Sequence, residues 1–199
     1  MSRGFNQREK QFITDSLLEQ GKILFSKFGF QKTSIMEITR SVGIAQGTFY
    51  NFFNSKEELY FNILEIEEDK IRKQLINTDI FKDNKPNEAI KDILSQMIRT
   101  VESNPLIREL YFGDNMENML KKLPPETLEK HFDNDTDSLE SVIKQWNSEG
   151  IIFKENPKVI AGMLRSLFIL TLHQKEIGME VYERTIDLLI DLIVDGLVK

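Results

Sequence analysis

Apolar residues recur at steps of three and four along most of the chain, and the breaks between these runs fall at glycine and proline. The first run holds Ile13, Leu17, Gly21, Leu24, Phe25 and Phe28, and Gly29 stops it where a helix C-cap glycine is favoured. Thr33-Ser34 opens a short helix, and Ser34 with Glu37 has the spacing of a capping box. Gly43 breaks that helix, and a second short one is predicted over Ala45–Asn51. Asn54-Ser55-Lys56-Glu57-Glu58 then starts a long helix toward Ile76. After a loop at Asp83-Asn84-Lys85-Pro86, Ile90, Leu94, Met97, Ile98 and Val101 mark a helix that ends at Asn104-Pro105. A further helix covers Leu106–Leu120. Pro124-Pro125 starts a seventh, whose DNDTD run at 133–137 forms helix poorly and marks a place for a break. Asn156-Pro157 starts an eighth that Gly178 ends, and a ninth runs to the C-terminus. No stretch alternates as a strand would. The predicted fold is all-α, with about nine helices.

Two of these helices set the functional question. In SIMEITRSVGIAQGTFYNFF, residues 34–53, two short helices meet at Gly43, which can supply the tight turn of a helix-turn-helix. Ile35, Ile38, Val42, Ile44 and Phe49 are its buried positions, leaving Gln46, Gly47, Thr48, Tyr50 and Asn51 on an exposed face. Glutamine can pair with adenine through two hydrogen bonds. Threonine and tyrosine hydroxyls suit phosphates, and Gly47 allows close backbone approach. Lys56 stands at the mouth of the next helix, within reach of the same strand. Taken alone, the pattern equally fits two solvated helices of an ordinary all-α protein.

Charge adds to this picture. The net charge is −6, which is unusual for a nucleic-acid binder. Residues 1–60 carry 8 Lys/Arg against 6 Asp/Glu, while residues 61–199 carry 18 against 26. A DNA surface therefore belongs near the N-terminus, and a non-specific structural DNA-binding protein, which needs a strongly basic surface, is disfavoured. Cysteine is absent, so no disulfide or thiolate metal site is available. The N-terminus lacks a signal-peptide pattern, and no apolar run exceeds four residues, against the roughly 20 that a membrane span needs. A cytoplasmic protein with no membrane partner is expected. His131 and His173 are far apart, and no nucleophile elbow, phosphate loop or dinucleotide fingerprint occurs. No catalytic residue, metal or cofactor is expected, and an enzyme is disfavoured.

The stretch GFQKTSIMEITRSVGIAQGTFYNFFNSKEELY, Gly29–Tyr60, resembles the signature of the TetR (tetracycline-repressor-like) family. Its recognisable parts are the Gly-aromatic end of the first helix, the Thr-Ser start of the second, G-T-x-Y in the third, and F-x-S-K-E-E-L. The resemblance implies a three-helix DNA-binding domain at 8–68 and a helical effector-binding and dimerisation domain at 69–199. It implies phosphate contacts from Thr33, Ser34, Thr48, Tyr50 and Lys56, and base readout around Gln46, Gly47 and Thr48, with Asn51 a further candidate. This sequence departs from the family pattern at several positions. Ala45 replaces a common serine cap, Gln46 a common basic residue, Phe52 a common histidine, and Gly21 a common alanine.

Beyond the signature the resemblance supplies architecture only. Val159–Leu172 is apolar on nearly every side, as in a helix buried on two faces. In the last helix Ile186, Leu189, Ile190, Ile193, Val194 and Leu197 form one stripe, and Leu188 and Leu192 lie on another. The family pairs its last two helices with their copies, so a homodimer is expected through Leu164, Phe168, Ile186, Ile190, Ile193 and Val194. Met97, Phe112, Met116, Trp146 and Phe168 are large, soft side chains suited to a small hydrophobic effector, although such residues are more often plain core. The expected function is a repressor that a small apolar effector releases from a palindromic double-stranded operator. The alternative within this class is an activator or an effector-independent regulator.

Overall fold

The computed structural model describes residues 5–75, 85–112, 119 and 121–199. The described residues form ten helices: α1 (Gln7–Phe28), α2 (Ile35–Val42), α3 (Gln46–Phe49), α4 (Lys56–Leu75), α5 (Pro86–Ser103), α6 (Pro105–Phe112), α7 (Pro125–Ser148), α8 (Pro157–Thr171), α9 (Gln174–Ile177) and α10 (Tyr182–Leu197). Among them the only extended pairing is one antiparallel bridge, Phe153 with Val198. None of the described helices is long and apolar enough to cross a membrane.

The helix count exceeds the expected nine because the predicted eighth helix divides. At the end of α8 the Thr171 hydroxyl donates to the Phe168 carbonyl at 2.7 Å, and the amides of Leu172 and His173 reach back three residues instead of four. This tightened turn closes α8 and leaves α9 as a separate single turn, ended by Gly178. The DNDTD run, by contrast, does not interrupt α7, which is continuous over Pro125–Ser148. The predicted helix over Leu106–Leu120 is described as far as Phe112 in α6, and the remainder apart from Met119 lies outside the described residues.

The chain divides into two compact units, Met1–Glu68 with Pro105–Pro125, and Asp69–Asn104 with Glu126–Lys199. The stretch Pro105–Pro125, expected in the second domain, groups with the first unit.

In the first unit α1 buries Ile13, Leu17, Gly21 and Phe25, one residue per turn. Gly21 permits a close crossing with α4: a Cβ there would lie 2.9 Å from Ile63 Cδ1 and 3.1 Å from Leu59 Cδ2. The α1 start is fixed by a capping box, with Asn6 Oδ1 accepting from the Glu9 amide and Glu9 Oε2 from the Asn6 amide. Tyr60 is buried against Phe25 and Phe30, edge to face, and donates to the Leu106 carbonyl at 2.7 Å. Burial, and secondarily the charge of Glu109, pushes its phenol above the ordinary value, so it remains a donor.

In the second unit α5, α7, α8 and α10 enclose one core, in which Trp146, Ile143, Leu94, Ile160 and Leu167 are fully buried. Tyr182 at the start of α10 donates to Glu102 at 2.5 Å, and Gln174 donates to the same oxygen at 3.1 Å. Lys91 on α5 holds Asp191 and Asp195 on α10, each at 3.0 Å.

This core corrects the expected dimer residues. Leu164, Ile186, Ile190 and Val194 are 6, 4, 2 and 1% exposed and belong to the chain's own core, and Ile193 packs against it half-buried. Phe168 is also half-buried. Ile186, Ile190, Val194 and Leu197 cover α5 and α8 within the chain, while Leu189 and Ile193 beside them stay half-buried. The apolar residues that stay exposed on these helices are Val159, Ile169 and Leu170 on α8 and Leu188 and Leu192 on α10.

Candidate nucleic-acid interface

The helix-turn-helix is built by local signals. Ser34 caps α2: its Oγ accepts from the Glu37 amide at 3.2 Å, and Glu37 Oε2 accepts from the Ser34 amide at 2.8 Å. The Ser34 hydroxyl, which donates to Glu37 Oε2 at 2.7 Å, and then the Ser34 amide hold the exposed Glu37 carboxyl below its ordinary value. Gly43 ends α2 in the left-handed region, at φ 79° and ψ 27°, where a side chain is strained. Ile38 and Phe49 are fully buried and anchor the two helices to the rest of the unit. Ala45 stands at the N-cap of α3 and offers no side-chain hydrogen bond, which costs about 1 kcal/mol relative to a serine. The α3 helix is a single turn, and tight turns through Asn51 and Phe53 continue it.

This frame leaves Gln46, Gly47, Tyr50 and Asn51 exposed, with Thr48 half-buried. Nothing lies within 4 Å of the place a Gly47 Cβ would occupy, so a large partner can approach the backbone there. Tyr50 is 54% exposed, and its ring lies 5.5 Å from the buried Phe49 ring and nearly perpendicular to it. Beside this face lies an open groove of about 640 Å³. It is lined by Phe30, Gln31, Ser34, Ile35, Met36, Gln46, Tyr50, Asn54, Ser55, Lys56, Glu57 and Lys122. Five of these residues belong to the α1–α2 turn or the start of α2, two to α3 and its C-cap, and four to the start of α4. Hydroxyls, amides and ammonium groups therefore converge on one concave surface suited to a polyanion.

Three expected contacts have other work in the structure: the Ser34 hydroxyl donates to Glu37 Oε2 at 2.7 Å, and Thr33 and Lys56 are directed to backbone carbonyls. Thr33 is 2% exposed, and its hydroxyl donates to the Gly29 carbonyl at 2.8 Å, with Leu24's carbonyl at 3.3 Å. It closes the end of α1 and does not present its hydroxyl to a phosphate. Lys56 Nζ donates to the carbonyls of Phe30 at 2.8 Å and Thr33 at 2.9 Å, and lies 4.2 Å from the centre of the Phe30 ring. Two of its three donors are thus spent on the α1–α2 turn. Burial holds the Lys56 ammonium below its ordinary value; Lys122's charge acts the same way, and Glu57, Glu109 and Glu37 oppose it.

Two residues outside the predicted motif shape the same surface. Glu109 Oε1 accepts from the Phe30 amide at 2.9 Å. Its carboxylate also fills the space beside Gly29, where φ is 81° and a Cβ would lie 2.8 Å from Glu109 Oε2. Lys122 Nζ reaches Glu57 Oε1 at 2.7 Å. Burial pushes the Glu57 carboxyl up, but the hydrogen bonds from Lys122 and the backbone, with the charges of Lys122 and Lys56, bring it below the ordinary value. No local pattern marks Glu109 or Lys122, because their partners lie 79 and 65 residues away in the chain. Among the described residues no group of three or more histidines and carboxylates could hold a metal ion.

Comparison with known proteins agrees with this geometry. The family model "Bacterial regulatory proteins, tetR family" matches residues 17–63, which contain α2, α3 and the start of α4. An uncharacterized regulator of the helix-turn-helix type from Lactococcus lactis is 25% identical over 185 residues, 88% of this chain and 90% of its own. The Bacillus subtilis regulator YuxN is 27% identical over 124 residues, but the chain spans only 42% of its length. A TetR-family regulator from Pectobacterium atrosepticum has the same fold, with a TM-score of 0.72 at 16% identity over 98% of both chains. SmeT, the repressor of the Stenotrophomonas maltophilia multidrug efflux pump SmeDEF, matches with a TM-score of 0.60 at 21% identity over 94% of this chain and 90% of its own. SmeT has also been solved in complex with triclosan, and that structure matches at a TM-score of 0.59 and 19% identity. At these identities the solved structures speak for the fold alone, and the signature at 17–63 with the exposed α3 face speaks for the family. Residues 17–63 carry the tetR-family signature of bacterial regulatory proteins, and the chain shares the fold of TetR-family transcriptional regulators.

Proposed function

We propose that the protein is a repressor that binds a near-palindromic operator as a homodimer and leaves it when a small apolar effector fills the helical second unit. The observation that carries the reading is the exposed set Gln46, Gly47, Tyr50 and Asn51 on a frame held rigid by the Ser34 cap and the Gly43 turn. Thr48 and Tyr50 supply phosphate contacts, joined by Ser34 once its hydroxyl turns from Glu37, and Gln46, Gly47 and Asn51 face the base edges. One such head reads only a few base pairs, so a two-fold pair of heads is needed for specificity. The exposed apolar residues of α8 and α10, Val159, Ile169 and Leu170 on one and Leu188 and Leu192 on the other, supply the surface for that pairing.

The effector reading rests on the second unit's soft core. Met97 and Phe168 are half-buried and Trp146 is 1% exposed. The Phe112 side chain and Met116 lie outside the described residues. That SmeT, a repressor of this fold, binds triclosan supports an apolar ligand here. The mechanism is a shift of population: an effector releases DNA only by favouring a dimer whose heads do not fit the operator.

Selection from a random duplex pool tests the DNA reading. Inverted repeats should emerge, and Gln46→Ala should relax one or two base pairs in each half, with a discrimination loss of about 1–3 kcal/mol. Recovery of sites without inverted symmetry would remove the two-fold operator from the proposal. The effector arm is read through Trp146, the single tryptophan. Titrating triclosan and a series of apolar aromatics onto the operator complex should change Trp146 emission and dissociate the complex over the same concentration range. Emission changes without release would leave binding unconnected to DNA and defeat the mechanism.

A further inference from the structure

We propose that Lys122, outside the helix-turn-helix, makes a phosphate contact in the DNA complex. This inference rests on the reading of the α3 face as the DNA surface. Lys122 lines the same groove as Ser34, Gln46, Tyr50 and Lys56. Its side chain is 63% exposed, while its partner Glu57 is only 11% exposed and fixed at the first turn of α4. The 2.7 Å pair therefore holds the Lys122 ammonium at a set place on the groove wall. That ammonium has three donors and gives one to Glu57.

The other lining cation is Lys56, and it has already given two donors to the Phe30 and Thr33 carbonyls. The recognition helix itself brings no cation: its exposed positions are Gln46, Gly47, Tyr50 and Asn51. Duplex DNA presents a phosphate every few ångströms along the groove edge, and sequence-independent affinity comes from cations that neutralise them. Among the described lining residues Lys122 is the cation with most of its donors directed to solvent. Glu57 does not cancel it, because a lysine can bridge a carboxylate and a phosphate through different N–H groups, and a prepositioned ammonium loses less freedom on binding.

Binding of the full-length chain to its selected operator and to a mixed-sequence duplex, followed by anisotropy over a salt series, tests this. Lys122→Ala should weaken both duplexes by a similar factor, about fivefold per contact at physiological salt. It should also lower the slope of log affinity against log salt by about 0.9 per bound copy. Lys122→Arg should keep the wild-type slope and thermal unfolding, while Lys122→Ala, which leaves the Glu57 carboxylate without its partner, should melt lower but stay folded at the temperature of the binding measurement. The double variant Lys122→Ala with Glu57→Gln separates a contact from a field effect, since it restores the local net charge without restoring the ammonium. Its slope should stay low. A wild-type slope in Lys122→Ala, or its return in the double variant, overturns the contact. Failure of the wild-type chain to select any duplex would strike the DNA reading itself.

Discussion

Leu192→Glu will leave a folded chain that no longer pairs, and operator binding will fall by at least about 100-fold, because a single head contacts only half of a two-fold site. Leu192 is 62% exposed on α10, one turn from Leu188 at 45%. A charge at an exposed helix position changes the stability of the chain itself by no more than about 0.5 kcal/mol. The same charge covered by a partner copy is desolvated without a counter-ion and costs several kcal/mol in association. Ile190→Glu, two residues earlier, should behave in the opposite way. Ile190 is 2% exposed in the core of the second unit, so the variant should unfold or aggregate and reveal nothing about pairing. Sedimentation and thermal unfolding of the two variants side by side decide the matter. A Leu192→Glu chain that sediments as a dimer, at concentrations where the wild type does so, excludes this face as the interface.

That contrast shows where sequence reading stops. Periodicity identifies two apolar stripes on α10, one through Ile186, Ile190 and Val194 and one through Leu188 and Leu192. It carries no information on which stripe the chain covers for itself. That depends on where α5 and α8 lie, which is a long-range property. Signals acting over three or four residues were legible: the Ser34–Glu37 capping box, the left-handed Gly43 and the missing cap at Ala45 all have the roles their positions suggest. The division of α8 from α9 was not legible, since no glycine or proline stands at Leu172 and the turn is closed by the Thr171 hydroxyl. Side-chain direction was the other blind spot. Thr33 and Lys56 lie at the right places along the chain for phosphate contacts, yet their polar atoms are directed to backbone carbonyls of the α1–α2 turn. Glu109 and Lys122 were out of reach altogether, because the residues they serve are far away in sequence.

Lys56→Met should therefore act first on the fold of the first unit and only then on DNA. The substitution keeps most of the apolar stem and removes the ammonium. Two carbonyls in a partly buried turn lose a charged donor, and hydrogen bonds to charged groups contribute about 1.5–3 kcal/mol each. The contact with the Phe30 ring, 4.2 Å away, adds about 0.5–2 kcal/mol. These terms overlap, because the turn can relax and water can reach the freed carbonyls, so a net loss of about 2–4 kcal/mol is expected. For a chain of this size each kcal/mol lowers the melting temperature by roughly 2–4 °C. Hydrogen exchange should quicken at the amides of Ile38 and Thr39 in the α2 turn that follows. DNA affinity should drop alike on all sequences, because Ser34 and the α2 N-terminus lose their fixed position. The salt dependence should change by less than the 0.9 that one phosphate contact contributes. Unchanged melting with a full-unit loss of slope would reverse the assignment, making Lys56 a phosphate ligand whose carbonyl contacts give way when DNA arrives.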